Sequence, residues 1–565
     1  MSDHNRLQAP GAPAETHQVF NQSVPLEDYN LFSGDTALKE GLARHGAGWA
    51  REEVLAFGAL CGRRECWEWG FLANEYRPQF RSHDRQGFRV DEVRYHDAYH
   101  QLMRQALGAG LHSAPWLAPG AGAHVARAAR YYCQAQVESG HGCPVTMTFA
   151  AVPTLGLTPA VAESWLPRVL ANSYDPRNLH HSEKSAVTIG MGMTEKQGGS
   201  DVRSNTTRAQ TLVSAHSGPG ARYTLWGHKW FTSAPMCDAF LMLAQAPGGL
   251  SCFLVPRWRE DGGKNPVQVQ RLKNKMGNVS NASSEIELRD AEGWMVGEEG
   301  RGVAAIIEMV AMTRFDCMIG SAAAQRQCVV QALNHCRGRS AFGRSLDQQP
   351  LMRNVLADLQ LEVEGSLALM LRMGEALDRS FSPGSDTHER HLLRLGLPTG
   401  KYWICKRTPH LAYEAMECLG GNGVIEDFLT ARLYRDAPIN AIWEGSGNVQ
   451  ALDMLRALER SPVVLDAWLA ELASEQGADR RLDQAIARLR KDFADDDQRE
   501  YRARYLVDQL ALTMQAALLV RSGNVAVAEA FIASRLAGEG GSSVGSLPRG
   551  VDTEALMRRA DPLQD

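Results

Sequence analysis

The reading of the fold turns on CLGGNGVIEDFLTARLYRDAPINAIWEGSGNVQALDMLRAL, Cys418 to Leu458. Gly420, Gly421 and Gly423 stop the helical pattern before them, since glycine reaches the backbone conformations that end a helix. A loop follows, then Arg435. Trp443-Glu444-Gly445-Ser446 then opens a new helix with Asn448 in its first turn. Glu444 admits two readings. Flanked by Trp and small residues, its carboxylate suits a desolvated pocket, where burial raises a carboxyl pKa and fits it to remove a weakly acidic proton. Alternatively it only complements the positive end of the helix it precedes.

Working outward, GVAAIIEMVAMTRFDCMIGSAAAQRQCVVQALNHCRG is long, Ala-rich and free of Pro. LMRNVLADLQLEVEGSLALMLRMGEALDR and GKYWICKRTPHLAYEAMECLG follow it. These predict long antiparallel helices of a bundle over 303–460. Upstream, AVTIGMGM, ARYTLWGHKWFTS, FLMLAQA, LSCFLVP, VQVQRL and SSEIEL are short β-branched or alternating runs separated by Gly, Pro and Asn. They predict an antiparallel β domain over 186–302. Residues 17–185 read as helical, and 1–16 as a polar, disordered leader. Beyond 460 the pattern is helical again, decaying into GEGGSSVGSLPRG, read as flexible. The class is therefore α+β. Helices do not interleave with the strands, which disfavours a Rossmann arrangement.

A chain of 565 residues is too long for one core. A net charge of -5 argues against coating nucleic acid by total charge, though not against a local basic patch. The 11 cysteines are scattered, with no C-x-x-C and no nearby His at zinc spacing, so they read as reduced thiols rather than metal ligands. With no apolar leader and no membrane-length apolar run, a cytoplasmic location away from membranes is expected.

Two further segments carry chemistry. In GMGMTEKQGGSDVRSNTTRA, Gly190 to Ala209, Gly198 and Gly199 permit a tight turn whose N–H groups, with the Ser200 hydroxyl, can hold a phosphate oxygen. Thr194 adds a hydroxyl at the strand end. The plain alternative is a hairpin loop. In GHKWFTS, Gly227 to Ser233, alternation places Phe231 and Ser233 on one face and Trp230 and Thr232 on the other. An aromatic wall beside a hydroxyl suits a flat polar ring; ordinary core aromatics are the alternative.

These three segments, in this order, resemble the acyl-CoA dehydrogenase superfamily: its TE-x-G-x-GSD flavin loop, its K-x-W-I-T strand and its GG-x-G…R-D…I-x-EG signature. The likeness covers roughly residues 40 to 460. HQVFNQSVPLEDYNLFSGD, SNAS, MTRFDC and IWEGSGN resemble an alkylation-response branch of that family, whose members carry a C-terminal helical domain like residues 461–565 here.

The resemblance implies FAD as cofactor and α,β-desaturation of an acyl-CoA thioester, with Glu444 as the base. Met191, Met193, Thr194, Gly199 and Ser200 would hold the flavin and pyrophosphate. Phe231, Thr232 and Ser233 would lie along the ring system. Gly420, Gly421, Ile442, Gly445, Ser446 and Asn448 would complete the cofactor contacts. Trp443 would serve cofactor and substrate, and Arg314 the substrate. Some branches place the base just before that Arg, where this chain has Thr313, which leaves Glu444. RSAFG, Arg339 to Gly343, resembles the family's R-x-x-FG, in which the Arg reaches a neighbouring subunit's FAD. Arg339 and Phe342 thus imply a homo-oligomer, in the family a tetramer, with an acceptor protein or oxygen taking the electrons. The flavin loop departs from the family in reading EKQGGSD where Pro and Ala are usual. The alkylation-response likeness also implies double-stranded DNA as a partner. Residues 461–565 hold about 13 Lys/Arg against about 17 Asp/Glu. Within them Arg480, Arg481, Arg488, Arg490 and Lys491 cluster, with Arg481 and Arg488 on one helical face. A solvated charged helix is the alternative.

Overall fold

The structure is a computed structural model that describes residues 16–213, 216–381, 384 and 386–563. All of the expected leader except Thr16 lies outside them. The chain forms two compact units. One comprises the chain up to Arg64, His124–Gln136 and everything from Cys317; the other comprises Glu65–Ala123 and Val137–Asp316.

The second unit holds the sheet: β3 (Ile189–Gly192), β4 (Arg208–Thr211), β5 (Arg222–Ser233), β6 (Ala239–Ala246), β7 (Gly249–Pro256), β8 (Val267–Leu272) and β9 (Ser283–Val296). It also carries a hairpin, β1 (Gln79–His83) and β2 (Arg89–Arg94), inside the stretch expected to be helical. Asp84 explains it. Its side chain accepts the N–H groups of Gln86 and Phe88 at 2.9 Å each and closes a turn at Gly87. The large sheet is not wholly antiparallel. β3 runs parallel to β6, and a single pair, Arg208 with Gln245, joins β4 to β6 in parallel. That join closes the ring β4–β5–β9–β7–β6, so these strands form a small barrel filled by Tyr223, Leu225, Met242, Phe253 and Leu288.

The first unit is helical. α1 (Gly302–Gly338), which also contributes to the second unit, α2 (Pro350–Phe381), α3 (Thr387–Cys418), α4 (Leu429–Ile442) and α5 (Gly447–Arg460) are the bundle helices. α3 starts well before the expected Gly400 and runs through Pro398 and Pro409. Burial along its whole length outweighs the loss of two backbone donors. The C-terminal extension adds helix Val463–Ala473, α6 (Arg480–Ala494) and α7 (Ala503–Arg521). It packs on α2 and α3 rather than standing apart. A Cβ on Gly396 of α3 would lie 3.3 Å from the Trp468 ring and closer still to Met373. The stretch read as flexible is tied down. Gly545 N–H donates to Asp358 at 2.9 Å, Leu547 N–H donates to Asn354 at 3.0 Å, and Leu547 is buried. Each of the eleven cysteines is a buried free thiol. No helix among the described residues is long and apolar enough to cross a membrane.

Candidate functional site

In the strand-rich unit, β3 delivers Met193 and Thr194 to a turn whose anchor is Glu195. Its carboxylate is fully buried and accepts from Thr206 N–H (2.7 Å), Thr206 Oγ1 (3.0 Å), Thr207 N–H (3.1 Å), Thr207 Oγ1 (2.6 Å) and Lys229 Nζ (2.9 Å). Lys229, equally buried, also donates to the Leu243 carbonyl at 2.7 Å. Burial alone would raise the Glu195 pKa. The Lys229 ammonium and the donated hydrogen bonds outweigh it and hold the carboxyl well below the usual range. Burial lowers the Lys229 pKa, with Glu195 opposing that shift. Neither residue stood out in the sequence as more than a motif letter.

Within the loop, the N–H groups of Glu195, Lys196 and Gly198 donate to Gly198 O, His228 Nε2 and Glu195 O. They are spent internally rather than on a phosphate. What the loop offers outward is the Thr194 hydroxyl and the exposed Gly199 and Ser200. Gly199 passes so close to Thr194 that a Cβ there would come within 2.3 Å of Thr194 Oγ1. Met191 is buried in β3, and the Met193 carbonyl accepts from Asn205 at 2.9 Å.

β5 departs from simple alternation. Its register passes from Lys229 opposite Ile286 to Thr232 opposite Ser284, three residues against two. This bulge turns Lys229 and Thr232 both inward and leaves Trp230 and Phe231 together on the other side, with Lys273 Nζ 3.2 Å and 4.5 Å from their ring centres. Trp230 therefore shares a face with Phe231, not with Thr232. Phe231 is 49% exposed, an aromatic surface with no core to fill. Ser233 Oγ lies 2.9 Å from Ser283 Oγ. Thr232 Oγ1 is buried with no hydrogen-bond partner among the described residues. An unpaired buried hydroxyl costs about 1–3 kcal/mol. That hydroxyl faces inward, away from the face Phe231 presents, so the exposed Phe231 and the Thr194–Ser200 loop, rather than Thr232, are what suit a flavin nucleotide.

In the helical unit, Glu444 sits in the link between α4 and α5. It holds φ +57° and is followed by Gly445 at φ +101°. A left-handed non-glycine residue costs roughly 1–2 kcal/mol, and persists only when its surroundings dictate it. They do here. Lys401, buried on α3, donates from Nζ to the Trp443 carbonyl (2.7 Å) and the Gly445 carbonyl (2.5 Å). Gln450 on α5 donates from Nε2 to the Glu444 carbonyl (3.0 Å) and the Gly445 carbonyl (2.9 Å). Only glycine fits at 445, where a Cβ would lie 2.6 Å from Gln450 Nε2. Trp443 Nε1 donates to Asn440 Oδ1 at 2.9 Å. Glu444 is thus held by its backbone, which leaves its side-chain chemistry independent of the clamp. Ser446 is the N-cap of α5, Ile442 is 64% exposed, and Gly420 and Gly421 are exposed just past the end of α3. Arg314 is half-buried on α1.

Residues 21–176 match the model of the adaptive response protein AidB N-terminal domain, 190–291 the acyl-CoA dehydrogenase middle domain and 300–459 the acyl-CoA dehydrogenase C-terminal domain. The chain is 44% identical to AidB of Escherichia coli (strain K12) over 546 residues, 96% of this chain and 98% of that one. It belongs to the AidB branch of the acyl-CoA dehydrogenase family. Members of this family are FAD-dependent flavoenzymes. The structure also matches Caenorhabditis elegans ACDH-11 in complex with C11-CoA, with a TM-score of 0.82, 26% identity, and coverage of 99% of this chain and 95% of that one. A Bacillus anthracis acyl-CoA dehydrogenase complexed with FAD shares the fold at TM-score 0.61 and 18% identity, over 78% of this chain and 81% of that one. The extension beyond the matched domains is common to this chain, AidB and ACDH-11, whose matches span nearly the whole length.

Two other groups of family-implied residues lie in the helical unit. Arg339 Nη1 donates to the Asn21 carbonyl at 3.0 Å, and Asn21 braces Ser340 through its N–H (2.6 Å) and carbonyl (2.9 Å). This holds a hairpin, Ser340–Ala341 against Arg344–Ser345, with Phe342 at its tip, 98% exposed and at φ +52°. On α6, Arg481 is enclosed by carboxylates: Asp479 (2.7 Å), Glu529 (2.5 Å) and Glu539 (3.5 Å). Arg488 donates to the Leu536 carbonyl at 3.3 Å. Arg480, Arg490 and Lys491 are exposed and form no ion pair with a described residue.

Proposed function

We propose that this flavoprotein dehydrogenates an acyl-CoA thioester, with Glu444 removing the proton α to the carbonyl. The observation that carries the reading is the clamped α4–α5 link. A left-handed carboxylate residue held at three successive carbonyls is aimed rather than merely placed, and alignment of a base is a large share of catalysis. FAD, when bound, supplies the two-electron acceptor. The Thr194 and Ser200 hydroxyls would bind and orient it, Phe231 would flank it, and Trp443 would keep water from the carboxylate. The C11-CoA bound to ACDH-11 supports an acyl-CoA as substrate. The test is anaerobic mixing of FAD-loaded protein with thioesters of graded chain length. Bleaching of the visible flavin bands by at least one is expected, and a panel that leaves them unchanged refutes the activity.

The fully exposed Phe342 supports a homo-oligomer, tetrameric as the resemblance implies, in which a second copy covers the hairpin and Arg339 acts across the contact. Burying such a ring is worth about 1.5–3 kcal/mol per copy. Phe342→Asp is expected to shift the mass measured by light scattering to a smaller species without unfolding the chain. An unchanged mass would remove Phe342 from the interface.

DNA association is a second reading, supported by the unpaired outer cations Arg480, Arg490 and Lys491. Arg481 does not support it, because its charge is already matched. Arg481→Ala should lower stability by about 1 kcal/mol and leave any DNA affinity unchanged. The double change Arg490→Ala and Lys491→Ala should flatten the salt dependence of binding. Equal salt slopes in fluorescence anisotropy would exclude this surface.

A further inference from the structure

The link bearing Glu444 is gripped from the C-terminal extension as well as from the bundle. Arg504, the second residue of α7, donates from Nε to Asn448 Oδ1 at 2.7 Å. Its Nη2 lies 3.9 Å from where a Cβ on Gly447 would stand, and the Tyr402 ring approaches the same point to 3.5 Å. Tyr402 is the chain neighbour of Lys401, which holds Trp443 and Gly445. Residues 443–448 are therefore held by two adjacent side chains of α3 and by Arg504 of α7.

Arg504 is attracted by the Asp508 carboxylate one turn further along α7. It is exposed, forms no ion pair with a described residue, and stands in the first turn of α7 beside the first turn of α5. Both helix ends present positive partial charge, and a cation there is unfavourable. An exposed arginine that spends its short side-chain bond on the first turn of α5, four residues past Glu444, points to a role in holding that turn.

We infer that Arg504 is a positioning residue, through which the C-terminal extension holds Asn448 and thereby fixes the direction of Glu444. The inference rests on the reading of Glu444 as the base. Its consequence is that the extension is part of the catalytic apparatus, and that whatever displaces α7 loosens the base.

The test uses the FAD-loaded full chain and C11-CoA as probe, with Arg504→Ala and Arg504→Lys. For Arg504→Ala the rate of flavin bleaching is expected to fall about 10–100-fold, as for a slightly misplaced catalytic group. The thioester dissociation constant should change less than twofold, and the thermal midpoint should stay level or rise. Amide exchange of the peptide spanning 443–449 should accelerate. Arg504→Lys, which keeps one donor, should recover part of the rate. A bleaching rate within twofold of the parent, or unchanged exchange at 443–449, overturns the inference. If the parent protein is not bleached by any thioester, the dehydrogenase reading has failed. The exchange comparison then still decides whether Arg504 holds the link.

Discussion

Glu444→Gln is expected to slow thioester-driven bleaching of the flavin by a factor of about 10²–10⁴ while leaving FAD binding and the fold intact. The substitution is isosteric and removes only the basic oxygen. The clamp does not depend on the carboxylate, since Lys401 and Gln450 bond to the carbonyls of residues 443–445. Gln at φ +57° carries the same backbone cost as Glu, so no new strain is introduced. Stopped-flow absorbance under anaerobic conditions measures the rate directly. A variant that bleaches as fast as the parent would assign the proton to another group.

The largest effect on the fold is expected at the flavin loop. Glu195→Ala removes the acceptor of six hydrogen bonds and leaves the Lys229 ammonium buried with only the Leu243 carbonyl. Breaking one side of a buried pair costs about 3–5 kcal/mol, a large part of the roughly 5–15 kcal/mol that holds a domain folded. The double variant Glu195→Met with Lys229→Met should recover much of that loss, because no charge is then stranded. Chemical denaturation of parent, single and double variants measures both steps, and a double variant no more stable than the single would contradict the account. The pH dependence has a definite sign. The folded Glu195 carboxyl lies below its unfolded value, near about 4.3, so its contribution is complete above that pH and is lost as pH falls toward the folded value.

Much of this architecture was legible in one dimension. The 37-residue helix Gly302–Gly338 shows in an uninterrupted Ala-rich run, and the glycine stop after α3 shows in Gly420 and Gly421. What was not legible depends on residues far apart in the chain. Glu195 and Lys229 are 34 positions apart, and Lys401 reaches Gly445 across 44. A lysine on a helix is normally solvated, and no local pattern marks the one that turns inward to grip a loop. The bulge in β5 shifts which aromatic accompanies Phe231, and alternation cannot show an extra residue in a strand. The β1–β2 hairpin was in principle readable, because QFRSHDRQGFRV alternates around an Asp-to-Gly turn. The cluster on α6 shows the limit of counting charges. Arg481 and Arg488 share a face as their spacing requires, yet Glu529 and Glu539, from another segment, neutralise Arg481.

The visible absorption spectrum of the purified, FAD-reconstituted protein most directly tests whether this chain is a working flavoprotein. The protein should be yellow, carry stoichiometric FAD through gel filtration, and lose its flavin bands on anaerobic addition of C11-CoA. A colourless protein that retains no FAD after reconstitution would contradict the assignment of Thr194, Ser200 and Phe231, and with it the role given to Glu444.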